Sequence, residues 1–160
     1  MFFKKRMLVT DYCVASMGAV FEKQHEATWE AIRRHCNDPA LTGADAELYY
    51  AHFRAVCMNL LLIGIAKNCK MDVSIEAHIF VGQWLKEKGH SKIQDLIHEY
   101  SQAFASSPSD GVKEMVAHFA GSLATSAMRQ ETLDQLHAEF YGVLNFYFAD
   151  YKSIKLLQTK

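Results

Sequence analysis

The sequence predicts an all-α protein, a single-domain bundle of five or six helices around a buried central helix at about residues 44–68. Three observations carry this expectation. Residues 55–66 form an apolar block, Ala-Val-Cys-Met-Asn-Leu-Leu-Leu-Ile-Gly-Ile-Ala, with Asn59 its one strongly polar member. A helix that is apolar all round must be buried all round. Only 2 prolines and 8 glycines interrupt the chain, which suits long helices better than many short strands. Elsewhere the apolar residues recur at spacings of three and four, without sustained alternation and without a hairpin dipeptide between apolar runs.

The elements follow in order. Thr10-Asp11 caps a first helix that runs to about Cys36, with Val14, Met17, Phe21, His25, Thr28 and Ile32 on its apolar face. Asn37-Asp38-Pro39 breaks it and offers Asp38 as a cap with Pro39 in the first turn. Thr42-x-x-Asp45 reads as a capping box opening the second helix, which holds the apolar block and ends near Asn68. Asp72 or Ser74 opens a third helix, closed by Gly89, and Ser91-x-x-Gln94 reads as a capping box for a fourth, to about Ala105. Ser107-Pro108-Ser109-Asp110 starts a fifth, and a weak break near Arg129-Gln130 separates it from a sixth, which runs to about Tyr151. Residues 1–9 and 153–160 are expected as tails of the one domain.

At 160 residues, half of them hydrophobic, the chain fits one domain that buries roughly two-thirds of its unfolded surface. The formal charge is −1 and the charges are interspersed, without the basic footprint of a nucleic-acid binder. Lys4-Lys5-Arg6 is too short a cluster to neutralise many phosphates and reads as solvated tail. Cys13, Cys36, Cys57 and Cys69 form no Cys-x-x-Cys pair, and a chain of this length needs no disulfide staple, so they read as reduced and intracellular. The first residues resemble a signal peptide until Asp11 breaks the apolar stretch. The block at 55–66 is too short to span a bilayer. A cytoplasmic protein with neither a nucleic-acid nor a membrane partner is the expectation.

The chemistry-bearing patterns are few. There is no Gly-x-Ser-x-Gly elbow, no Ser-x-x-Lys and no glycine-rich phosphate loop. His35 and Cys36 are neighbours in sequence and so diverge on a helix. An acidic-x-x-His pattern occurs three times, as Glu22/His25, Asp95/His98 and Asp134/His137. That spacing puts carboxylate and imidazole on one helix face, as ferritin-like di-iron bundles require. His98 falls on a polar face, leaving Glu22, His25, Asp134 and His137 as a candidate set for iron or another transition metal, in a metal-dependent oxidoreductase. The competing reading makes these core histidines bonded to nearby acceptors. A haem or other planar cofactor on one interior histidine is a further alternative.

Asn59 within its apolar helix needs a partner, or costs about 1–3 kcal/mol. It is either bonded to a neighbouring helix or a polar anchor in an apolar pocket, which His25 and Trp29 would share. The final helix has aromatics beyond its core stripe of Phe140, Leu144 and Tyr147. Tyr141, Phe148 and Tyr151 are therefore candidates for an interface with a second copy of the chain. The function these readings favour is non-enzymatic and needs no cofactor: a bundle that binds a protein partner or a small apolar ligand, as a homodimer.

Overall fold

The computed structural model describes residues 4–123 and 126–159, with the side chains of Lys23, Gln24, His25 and Thr28 excepted. The chain is an all-α bundle. Its elements are β1 (Lys5–Leu8), α1 (Val9–Phe21), α2 (Lys23–His35), α3 (Pro39–Thr42), α4 (Ala46–Asn68), α5 (Met71–Glu87), α6 (Ser91–Ser106), α7 (Gly111–Leu123), α8 (Gln130–Ser153) and β2 (Ile154–Leu157). Among the described residues there are eight helices where five or six were expected, because the first is split and the turn after Asp38 forms a short helix of its own.

α4 is the centre. Residues 55–62 of it are all buried, as are Tyr49, His52, Phe53, Gly64 and Ile65, so no side of the helix is left to water. It packs against α1, α5, α6, α7 and α8. By length and composition it could cross a membrane, but 72% of its most apolar stretch is covered by the rest of the chain, which marks a core helix. Gly64 brings α8 close: a Cβ there would sit 3.3 Å from both Tyr147 Cβ and Tyr151 Cε2. Asp45 caps α4, its carboxylate accepting the Leu48 N–H at 2.8 Å. Thr42 is not that cap; it closes α3, and its hydroxyl donates to the Asp38 carbonyl.

The expected first helix breaks at Glu22, whose backbone is extended. The two halves serve different partners. Phe21 at the end of α1 packs on Trp84 and His90, at 5.4 and 4.7 Å between ring centroids. Trp29 in α2 packs on Phe53 of α4 and Phe140 of α8. Asp38 does cap α3, accepting the Ala40 N–H at 3.0 Å, with Pro39 in the first turn. It is buried, and also accepts from the Arg129 N–H and the Thr132 hydroxyl, which ties α3 to the head of α8. Arg33 fixes the same corner by donating to the carbonyls of Leu41, Thr42 and Ala44.

Gly89 ends α5 with φ +75°, the left-handed conformation that glycine adopts without steric cost. The bonds His90 N–H to Leu85 O and Gly89 N–H to Lys86 O complete a Schellman cap. Ser91 does not cap α6; His90 precedes the helix without a side-chain bond, and Gln94 packs over Gly82. At the head of α7 the cap is Asp110, which accepts the Lys113 N–H.

The segments expected as tails pair with each other. β1 and β2 form a parallel ribbon with Lys5 opposite Ile154, Arg6 opposite Lys155, Met7 opposite Leu156 and Leu8 opposite Leu157. β1 then runs directly into α1, so Leu8 rather than Thr10 or Asp11 precedes the helix. The ribbon seats Leu156 in the core.

Candidate functional site

Asn59 is 1% exposed and its amide is engaged from two sides. The Ser101 hydroxyl donates to its Oδ1 at 2.7 Å, and its Nδ2 reaches the Met115 sulfur at 3.8 Å. The amide thereby joins α4 to α6 and α7. Trp29 is buried between Phe53 and Phe140, and its carbonyl accepts the Tyr49 hydroxyl. His25, the third member of the expected pocket, has a side chain outside those described.

Of the metal candidates, His137 and Asp134 have other partners, and the His25 side chain lies outside those described. His137 Nε2 lies 3.1 Å from Asp110 Oδ2, and the Tyr141 hydroxyl donates to Asp110 Oδ1 at 3.3 Å. Burial alone would raise the Asp110 carboxyl; the His137 contact, the Lys113 N–H and Tyr141 together hold it below the ordinary carboxylate range. Asp134 accepts from Gln130, and Glu22 is exposed at the break between α1 and α2. Among the described residues, no three His, Cys, Asp or Glu side chains group as metal ligands. Of the interface candidates, Tyr141 and Phe148 are half-buried and Tyr151 is buried against Tyr12 and Gly64. The exposed aromatic of α8 is Phe146, at 63%.

The largest cavity described lies elsewhere, between α1 and α8, with a volume of about 630 Å³. α1 packs against α4 and α5, while α8 packs against α4 and α7, so a groove remains between them. Its floor is Cys57 of α4. One wall is the α1 face of Tyr12, Ala15, Ser16 and Ala19, which share a side at helical spacing. The other is the α8 face of Gly142, Val143, Phe146 and Tyr147. Small residues make the space: a Cβ at Gly142 would meet nothing within 4 Å. The charged groups lining it are both acidic, Glu139 and Asp150, and the Tyr12 hydroxyl donates to Asp150 Oδ2 at 2.9 Å. Burial and the adjacent Asp150 raise the Tyr12 phenol, so it remains a donor at neutral pH. Burial likewise raises the Cys57 thiol, which stays protonated and unreactive.

Two weak signs of this groove stand in the sequence. One is the run of small residues at 15, 16, 18 and 19 in α1; the other is Phe146, an aromatic off the core stripe of α8. Neither shows from sequence alone that the two helices face each other.

A second polar group is buried in the core. His52 Nδ1 lies 2.9 Å from the Tyr100 hydroxyl, and His118 approaches the same ring while pairing with Glu99. Burial first, then the neighbouring His118, lower the His52 pKa. The unfolded chain therefore takes up a proton there before the folded one does, and stability contributed by neutral His52 is complete above the ordinary histidine range and lost as pH falls through the lowered value. The expected result is a urea midpoint that drops between pH 7 and pH 5, with a shallower drop in His52→Gln; equal slopes in both proteins would assign the effect to other groups.

Compared with known protein families, with curated proteins and with solved structures, the chain matches none. The fold defines it as a helical bundle, and its functional reading rests on the groove.

Proposed function

We propose that this protein is a ligand-binding bundle whose α1–α8 groove takes a small, mostly apolar molecule bearing a cationic or hydrogen-bond-donating group. The observation that carries this is the lining: apolar and small side chains with two carboxylates and no basic residue. A volume of about 630 Å³ lies within the range of small-molecule sites, roughly 300–1,000 Å³. The apolar walls supply the attraction, and Asp150 and Glu139 select the charge of the ligand. A carboxylate or phosphate in the same place would meet like charge, which is the means of rejecting it.

The test uses decylamine and decanoate, matched in length and opposite in charge, titrated calorimetrically below their micelle-forming concentrations. Decylamine is expected to bind with one-site saturation and decanoate much more weakly. Ala19→Trp fills the groove and is expected to abolish the binding. Asp150→Asn is expected to weaken it about tenfold, or about 1.4 kcal/mol. Equal binding of both probes, or binding that Ala19→Trp leaves intact, overturns the reading.

A further inference from the structure

The ribbon and the head of α5 enclose a different cavity, of about 310 Å³. Lys4, Lys70 and Lys155 line it, and Asp72 is the one acidic residue among its walls. These three cations come from separate parts of the chain: the approach to β1, the residue before α5, and β2. Their convergence depends on the pairing of the two chain ends and is invisible to sequence reading.

Two features of the surroundings leave positive charge unanswered. The ribbon register sets Arg6 directly opposite Lys155, and like charges opposite each other destabilise a strand pair. Among the described residues, none of Lys4, Arg6, Lys70 and Lys155 is in an ion pair; Lys4 donates instead to the Tyr151 carbonyl. In the first turn of the 17-residue α5, Asp72 accepts the Val73 N–H at 2.9 Å, so Lys70, the residue before the helix, faces one carboxylate in the cavity wall. Deeper in the wall, Tyr151 is 6% exposed, its ring packed on Tyr12 and against Gly64.

We propose that this cavity binds a phosphoryl anion, with Lys70 and Lys155 as its principal counter-charges and Lys4 completing the ring. Lysine suits this role as a point charge that need not match a planar acceptor. The group arrives either as a free small phosphate or as a lipid headgroup, and both present the same oxygens. Ile154 lies in the wall of this cavity and of the apolar groove, but the anion site does not depend on what the groove holds.

The experiment titrates inorganic phosphate into the whole chain at low ionic strength, followed by amide chemical shifts and by Tm. In parallel, the chain is sedimented with phosphatidylcholine vesicles, with and without phosphatidic acid. Saturable shifts at residues 69–73 and 154–156, a rise in Tm with phosphate, and a three- to tenfold loss in each of Lys70→Gln and Lys155→Gln are expected. Lys86→Gln, at the far end of α5, serves as the charge control and is expected to bind as the parent does. Lys155→Gln without phosphate is expected to be at least as stable as the parent, since it removes the repulsion with Arg6, so loss of binding is not loss of fold. Binding to phosphatidic acid vesicles that both lysine variants lose assigns the headgroup as the source; binding to phosphate alone assigns a soluble ligand. Neither probe binding, or the Lys70→Gln/Lys155→Gln pair binding as well as the parent, overturns the proposal.

Discussion

Trp29→Ala is expected to cost about 3–5 kcal/mol of stability, the usual penalty for deleting a large aromatic from a packed core. Trp29 is 2% exposed and sits where α2, α4 and α8 meet, with Phe53 and Phe140 as its ring neighbours. Phe140 in turn stacks edge-on against Phe119 of α7, so the vacancy would open at the junction of four helices. Those rings cannot collapse into it together without tilting the helices that carry them. The urea midpoint measures the loss. The same variant separates a core role from a pocket role: decylamine affinity in the α1–α8 groove is expected to stay unchanged. A stable Trp29→Ala protein with altered affinity would return Trp29 to the ligand site.

What could be read from the sequence was whatever a short window decides. The block at 55–66 told its own story over residues 55–62, because burial on every side requires apolar residues on every side; Ile63 is half-buried and Ala66 exposed. Gly89 and Asp38-Pro39 marked real boundaries, since a left-handed turn and a cap are chosen by the residues that form them. The failures share a different cause. Nothing in the neighbourhood of Glu22 breaks a helix; the break answers to Trp84 and His90 on one side and to Phe53 and Phe140 on the other. Thr42 and Ser91 fit capping boxes, but Asp45 and His90 took the cap positions. Four residues each are too few for β1 and β2 to show a strand period, and their partners lie at opposite ends of the chain.

The site was less legible than the fold for the same reason. Asn59 announced that it needed partners, but Ser101 and Met115 are 42 and 56 residues away. The Asp134/His137 spacing was a true helical neighbourhood, yet the partner of His137 is Asp110 at the head of α7, 27 residues away. The groove is defined by what is missing from α1 and α8, namely bulk at Ala15, Ala19 and Gly142, and an alanine reads as an ordinary helix former until the opposing wall is known.

Asp38→Ala is expected to lower stability by about 2–4 kcal/mol, the sum of a lost N-cap and of buried donors left unsatisfied. The carboxylate is 1% exposed and collects three hydrogen bonds: from the Ala40 N–H at 3.0 Å, the Arg129 N–H at 2.9 Å and the Thr132 hydroxyl at 2.7 Å. The last two belong to the approach and first turn of α8, so one side chain joins the start of α3 to a helix that begins far along the chain. Burial by itself would favour the protonated acid, but the Arg129 N–H, Thr132, Ala40 and the Arg129 guanidinium together outweigh it and hold the pKa below its ordinary value. The sign of the pH effect follows. The stabilisation is complete above the unfolded-state value near 3.8 and is lost as pH falls through the lower folded-state value. Urea midpoints measured from pH 6 down to pH 2 are therefore expected to fall more steeply in the parent than in Asp38→Ala, and the two curves to converge at the acid end. Asp38→Asn keeps an acceptor for one of the donors and is expected to lie between them. Parallel curves would mean that the charge on Asp38 contributes nothing and that its hydrogen bonds do so only as neutral contacts.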